Sequence, residues 1–436
     1  MYALASASGR AGVAVVRLSG PASRRALTAL APGFEASPRT ARRITLRDPS
    51  DNALIDEGLA LIFPAPNSFT GEDVVELHIH GSPATLQRLF PVLSGLGLRA
   101  AGPGEFTRRA FTNGKIDLTA AEGLADLIAA DSDAQRAQAL AQMGGAWAKV
   151  ITDWQTRLLD ALALLEAGID FVDEDDVPDS VTDSVPERLT SIAAEMAAHL
   201  ANGHRGEVVR DGLRVAIIGA PNVGKSTLLN ALAGREAAIV SDIPGTTRDI
   251  VEVRLDLDGY VVVLADTAGQ RLTDDPIEQE GVRRARAKAR ESDLRIFVMD
   301  SASRVGLETD DLMQPGDIVF RNKADLAPAA GVAPADLVSL AGSALTGAGL
   351  EALQDALTAR VRNAASGPAV LITRQRHREA LGDAKEALSR ASNAHYPADL
   401  AAEDVRVALQ ALARITGRFD VDQVLDRIFA GFCIGK

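Results

Sequence analysis

Cysteine is all but missing from this 436-residue chain, where Cys433 stands alone. A lone thiol excludes an intramolecular disulfide and fits a reducing compartment. Aromatic residues are scarce as well, at 4%, so the cores must be built from Ala, Leu and Val, for which a hydrophobic content of 47% suffices. There is no excess of positive charge. The net charge of −13 disfavours strong non-specific binding to nucleic acid, so an RNA substrate would need a local basic patch or a basic partner. Long apolar runs are missing too. The opening MYALASASGRAGVAVVRLSG has no basic segment leading into an apolar one, and no stretch reaches the length of a membrane span. These absences predict a soluble, cytoplasmic protein with no membrane partner. The length predicts two or three domains.

What is present centres on GAPNVGKST, residues 219–227. It fits the phosphate-loop pattern G-x-x-x-x-G-K-[ST] through Gly219, Gly224, Lys225 and Ser226. LRVAII (213–218) before it reads as a buried strand, and TLLNALAG (227–234) after it as a helix closed by Gly234. A phosphate at that junction meets unpaired backbone N–H groups and the positive end of a helix dipole. Lys225 supplies a point charge to the terminal phosphates and Ser226 a hydroxyl to Mg²⁺. Asn222, Val223 and Thr227 complete the loop.

Three further motifs follow in order. YVVVLA (260–265) leads into Asp266, Thr267, Ala268 and Gly269, a D-x-x-G that places Asp266 near Mg²⁺ and the Gly269 N–H near the γ-phosphate. DIVFR (317–321) leads into Asn322, Lys323, Ala324 and Asp325. The Asp325 carboxylate can accept from both guanine N1–H and the 2-amino group, a donor pair that adenine lacks. Two such bonds contribute roughly 3 kcal/mol, about a hundredfold in selectivity. Residues 338–340 precede Ser343, Ala344 and Leu345, where the Ala344 N–H is placed to meet guanine O6. Four ordered motifs, each after a predicted strand, make residues 212–366 a GTPase domain.

The rest of the chain is organised around that domain. Residues 1–117 mix β-branched runs (13–18, 58–63, 74–80) with a helix at 83–93, giving an α/β domain with its own core. Residues 118–211 and 367–436 share an Ala/Leu-rich helical character, so the GTPase domain is read as an insertion into one helical bundle. The acidic segment 170–183 reads as a solvated loop, with metal binding as the competing reading. His78 and His80 share a strand face with Glu76 and read as a polar face, with a two-His-one-carboxylate metal site as the competing reading. Arg283, Arg284, Arg286, Lys288 and Arg290 read as a solvated helix face, with RNA or partner contact as the alternative. The terminal GFCIGK ends in Lys and is only loosely like a prenylation box; a buried, inert Cys433 is the default.

Several stretches together resemble the MnmE (TrmE) family of tRNA modification GTPases over essentially the full length. They are GRAGVAVVRLSG (9–20), PNSFTGEDVVELHIHG (66–81), PGEFTRRAFTNGKIDL (103–118), GAPNVGKSTLLNALAGREAAIVSDIPGTTRD (219–249), DTAG, NKAD and the terminal FCIGK. The first three and the last lie outside the GTPase domain, so a generic GTPase would not share them. The resemblance implies a multidomain α/β protein: an N-terminal α+β folate-binding and dimerisation domain, a helical bundle, and an inserted Ras-like GTPase domain. It implies a homodimer that joins a flavin-dependent MnmG-type partner in a heterotetramer or larger complex. That complex adds an aminomethyl-type group to carbon 5 of the wobble uridine of certain tRNAs. The one-carbon donor is a tetrahydrofolate derivative, in its 5-formyl or 5,10-methylene form.

Residue by residue, the resemblance assigns folate contacts to Arg17, Glu76, Lys115 and Lys436, and a role in the uridine chemistry to Cys433. It implies K⁺-dependent hydrolysis by paired GTPase domains. The K⁺ ligands fall on Asn222, Ser241, Ile243 and Thr246, in a nucleotide-contacting loop that also holds Asp242, Pro244 and Gly245. Thr247 joins Ser226 on Mg²⁺, and Glu278 positions the attacking water, with Lys225 on the phosphates. Three positions depart from the family pattern. Ala11 replaces a glycine, Pro244 sits in the K⁺ loop, and Gln270 follows DTAG, where Ras-type GTPases keep their water-orienting Gln. Two alternatives share the nucleotide motifs. A ribosome-assembly GTPase would carry a basic RNA-binding face, which is not seen in the sequence. A non-catalytic scaffold would switch shape without turnover.

Overall fold

The computed structural model describes the chain apart from residues 36, 171–182, 235–237, 240–251, 267–285, 303–311, 329–336, 366–370, 394, 419–421, 433 and 436. It divides into two compact units. One comprises residues 1–125, 148–156 and 409–436, the other residues 126–147 and 157–408.

The first unit is built on a five-stranded sheet in the order β1-β2-β5-β4-β3. Its strands are β1 (Tyr2–Leu4), β2 (Ala11–Ser19), β3 (Arg42–Arg47), β4 (Leu54–Phe63) and β5 (Val74–Gly81), and neighbouring strands run antiparallel. Alternation along β2 and β5 sends Val16, Leu18, Val75, Leu77 and Ile79 to one face. There they form a core with Leu27 and Leu30 of the helix Ser23–Leu30 and with Leu89 and Leu93 of the helix Pro83–Gly95. The edge strands β1 and β3 go beyond the sequence reading: β1 is short and β3 is half polar, so neither carries a strong period. A smaller cluster joins Leu118 and Ala121 to Leu425, Phe429 and Phe432. Beyond it the tail pairs locally, Ile434 bridging antiparallel to Pro103.

The second unit holds a seven-stranded sheet in the order β12-β11-β10-β6-β9-β8-β7. Its members are β6 (Leu213–Ile218), β7 (Ala238–Ile239), β8 (Glu252–Leu257), β9 (Tyr260–Asp266), β10 (Leu294–Asp300), β11 (Ile318–Asn322) and β12 (Val338–Ala341). The pairs from β12 through β11, β10 and β6 to β9 are parallel, whereas β8 pairs antiparallel with both β9 and β7. A parallel sheet is covered on both faces, and β6 shows why it reads as a continuous apolar run. Its Val215 and Ile217 enter one core with Leu228 and Leu232, and its Ala216 and Ile218 enter another with Phe297 and Val319.

The helical segment expected over residues 118–165 is interrupted. It forms Leu118–Ala129, Asp133–Met143 and Ala146–Asp170. The second helix opens at a capping box in which Ser132 accepts from the Gln135 N–H and the Gln135 side chain reaches back to the Ser132 N–H. Helices Val185–Ala201 and Gly203–Asp211 lead into β6, and Gln375–Ala391 and Ala398–Thr416 follow the GTPase segment. Among the described residues no helix is long and apolar enough to cross a membrane.

Candidate nucleotide site

The motifs gather because the strands before them are in parallel register. Ile217 of β6 is level with Asp266 of β9, Ile218 with Phe297, Asp300 of β10 with Asn322 of β11, and Arg321 with Ala341. All four motifs therefore begin at the carboxyl edge of one sheet. The loop after β6 lies where neighbours of different sequence order flank the strand, the place where open α/β sheets bind ligands.

The phosphate loop is shaped by its backbone. Gly219 lies so close to β10 that a Cβ there would meet the Val298 carbonyl at 2.2 Å, so only glycine fits. Asn222 and Gly224 take left-handed φ values of 61° and 97°, which turn the chain directly into the helix Lys225–Ala233. The result is a concave backbone at a helix N-terminus, suited to an anion. Lys225 is buried, and its Nζ donates to the Gly219 and Ala220 carbonyls at 2.8 and 2.9 Å, so the ammonium lies within the loop it is expected to serve. Ser226 and Thr227 are exposed at the helix start, and Asn222 is exposed on the loop.

The base-recognition side is tied to this loop through Asn322, which is 3% exposed. Its Nδ2 donates to the Val223 carbonyl at 2.7 Å, and its Oδ1 accepts from the Ala344 N–H at 2.8 Å. This alters one expectation: the Ala344 N–H assigned to guanine O6 is engaged by Asn322 here. Gly224 is required again, since a Cβ there would meet Asn322 Nδ2 at 2.3 Å. The Ala324 N–H donates to the Gly342 carbonyl, which holds the N-K-A-D loop against the S-A-L loop. Ser343 is buried, whereas Asp325 and Leu345 are exposed beside it.

Two neighbouring residues at the end of β10, Asp300 and Ser301, were not singled out by sequence. Asp300 accepts the Ala302 N–H and pairs with Lys323 Nζ at 3.0 Å, and these two contacts hold its carboxyl below the usual range. Ser301, fully buried, donates its hydroxyl to the Ala327 carbonyl at 2.7 Å and the Lys323 carbonyl at 3.2 Å. The available signal was an apolar strand, LRIFVMD, ending in Asp-Ser level with the other motifs.

The N-terminal unit brings together two of the four residues assigned to folate. Arg17 and Glu76 are cross-strand partners, with Nε donating to Oε1 at 2.9 Å. The Arg17 guanidinium also lies 5.9 Å from the Phe69 ring centre and 5.8 Å from that of Phe106. The ion pair is mostly buried, with aromatic rings beside the guanidinium. Lys115 Nζ donates to the Pro66 carbonyl at 2.9 Å. Nearby, both Glu72 carboxylate oxygens accept from Arg109 Nη1, and Oε2 also accepts the Ser19 hydroxyl. Glu105 bridges Arg109 and Arg99. Burial opposes the Glu105 charge, but Arg99, the Gly102 N–H and Arg109 outweigh it and lower its pKa to about 2.

His78 contacts Glu76 at 3.5 Å, while His80 turns to Asp56 at 2.8 Å. Among the described residues no group of three His, Cys, Asp or Glu stands ready to hold a metal, so the two-His-one-carboxylate reading is not supported there. Lys288 is paired with Glu252 at 2.8 Å. Ser241, Asp242, Ile243, Pro244, Gly245, Thr246, Thr247, Thr267, Ala268, Gly269, Gln270, Glu278, Arg283, Arg284, Cys433 and Lys436 lie outside the described residues.

Comparison with known proteins extends these observations over the whole chain. Residues 1–115 match the family described as GTP-binding protein TrmE N-terminus, and residues 118–433 match the MnmE helical domain. The chain is 54% identical to the tRNA modification GTPase MnmE of Parvibaculum lavamentivorans, over 100% of its own length and 99% of that protein's. It is 51% identical to the protein of the same name from Rhodospirillum rubrum, again over 100% and 99%.

Proposed function

The chain belongs to the MnmE family of tRNA modification GTPases, and on that premise we propose that it hydrolyses GTP to GDP and phosphate to drive modification of carbon 5 of the wobble uridine in certain tRNAs. The observation that carries the reading is the Asn322 side chain, which joins the phosphate loop at Val223 to the guanine-contacting loop at Ala344. With Asp325 exposed beside it, this arrangement fits GTP and not ATP. Lys225 neutralises the terminal phosphates, and Ser226 with Thr247 holds Mg²⁺. K⁺ is held by the Asn222 side chain and by the loop containing Ser241, Ile243 and Thr246. K⁺ there supplies the positive charge that an arginine finger supplies elsewhere.

The modification step uses a tetrahydrofolate one-carbon unit in the N-terminal domain. Arg17, Lys115 and Lys436 face its glutamate carboxylates, and Glu76 accepts from the pterin N–H groups. The working assembly is a cytoplasmic homodimer with a flavin-dependent MnmG-type partner, and Cys433 serves the uridine chemistry. A ribosome-assembly GTPase does not account for the matches over residues 1–115 and 118–433. A scaffold without turnover is separated by measured hydrolysis. The test of the nucleotide assignment is Asp325→Asn. The variant should lose GTP affinity by about a hundredfold and gain affinity for xanthosine triphosphate, whose 2-oxo group accepts where guanine donates. Unchanged GTP affinity would contradict the assignment.

A further inference from the structure

The carboxyl end of β10 and the residue after it make four polar contacts to one loop. The Ser301 N–H donates to the Asn322 carbonyl at 2.7 Å. The Ser301 hydroxyl donates to the carbonyls of Ala327 and Lys323. Asp300 Oδ2 takes the Lys323 ammonium at 3.0 Å, with the Asp300 carboxylate itself fixed by the Ala302 N–H at 3.1 Å. Residues 322–327 are thereby held at both ends and on one side chain, with Asp325 between the fixed points.

The loop needs such support. Lys323 has φ of 63°, a left-handed conformation that a non-glycine residue adopts at a cost of order 1–3 kcal/mol unless its surroundings impose it. Asp325 is exposed and no hydrogen bond from its own side chain anchors it among the described residues, so its position is set by the backbone on either side. A carboxylate that must meet two donors on one base edge gains from a backbone fixed before the base arrives. Ser301 is also fully buried, and its hydroxyl is spent entirely on this loop.

We propose that Asp300 and Ser301 are positioning residues for guanine recognition: they form a clamp that sets residues 322–327 so that Asp325 meets N1–H and the 2-amino group together. Neither residue touches the nucleotide in this scheme; both act through the loop. The proposal rests on the guanine reading of Asp325, and the experiment separates the two.

The probes are GTP and ITP, which differ by the 2-amino group alone, with binding and hydrolysis of each measured on the full chain. If the native chain does not prefer GTP over ITP, the guanine reading itself fails. If it does, Asp300→Asn and Ser301→Ala are compared with it. Asp300→Asn keeps the side-chain shape at a half-exposed position and removes the charge that holds Lys323. Ser301→Ala removes the hydroxyl from beneath the loop. Each should lower the GTP-to-ITP affinity ratio by about tenfold, the worth of one hydrogen bond to a charged acceptor, through weaker GTP binding and nearly unchanged ITP binding. Turnover at saturating GTP should stay near native, because the phosphate loop is untouched. A variant that loses affinity for both nucleotides in equal proportion, or that melts lower with an unchanged ratio, would make the clamp a structural contact only and overturn the proposal. Asp300→Glu, which restores the charge, should recover part of the ratio.

Discussion

Asn322 Nδ2 donates to the Val223 carbonyl across 2.7 Å, which fastens the base-recognition strand to the phosphate loop. The same amide accepts the Ala344 N–H through Oδ1. One side chain thus sets the distance between the phosphate end and the base end of the site. Asn322→Ala should leave a partly buried carbonyl and a buried N–H without partners. The expected outcome is a loss of about 2 kcal/mol in the stability of the GTPase domain, with GDP affinity lower by about tenfold or more. Denaturant unfolding and nucleotide titration check both. Native GDP affinity in this variant would contradict the bridging role.

Asn222 tests the cation. It sits exposed on the phosphate loop with φ of 61°, a conformation that few non-glycine residues adopt among the described residues. Replacing Na⁺ by K⁺ should raise GTP turnover by about tenfold or more, in line with a charge placed where an arginine finger acts. Asn222→Ala should hydrolyse GTP at the same slow rate in both salts. Equal rates for the native chain in the two salts would remove K⁺ from the mechanism.

Gln270 and Glu278 are the two candidates for the attacking water, and both lie outside the described residues. Glu278→Ala should cut turnover at saturating GTP by about a hundredfold while sparing nucleotide affinity, and Gln270→Ala should cost less. The reverse order would mean that the chain orients its water with Gln270, at the Ras-like position, and not with Glu278.

The nucleotide motifs were legible in the sequence because each is a backbone device: Gly219 and Gly224 are required by approaches of 2.2 and 2.3 Å that no side chain allows. The strands before them were legible because burial on both faces makes β6, β9 and β11 near-continuous apolar runs. The clamp at Asp300 and Ser301 was not legible. It arises from the register of β10 against β11, a non-local pairing that no local spacing encodes. The Arg17–Glu76 pair had the same origin, since residues far apart in the chain meet only through the β2–β5 register. The break near Ser132 was legible in principle as a capping box, but no Gly or Pro marked it, and the helical composition on both sides concealed it.

Glu105 gives the N-terminal unit a pH dependence. Its pKa falls from the ordinary 4.5 to about 2 on folding, so its contribution is fully present above pH 4.5 and is lost as pH falls towards 2. At pH 7, Glu105→Gln should destabilise the unit by about 1–2 kcal/mol, a figure reduced for solvent screening at the exposed Arg99. The difference between variant and native chain should shrink steadily between pH 4.5 and pH 2, as followed by denaturant unfolding. A gap that stays constant down to pH 2 would show that Glu105 acts through packing and not through its charge.

The proposal that GTP hydrolysis by this chain drives modification of the wobble uridine can be tested in the cell. The most direct measurement is nucleoside analysis of tRNA from a strain lacking the gene, complemented either with the native chain or with Lys225→Ala. The native chain should restore the carbon-5-modified uridine, and Lys225→Ala should leave it unmodified although the protein is present at native abundance. Restoration by both, or by neither, would contradict the proposal.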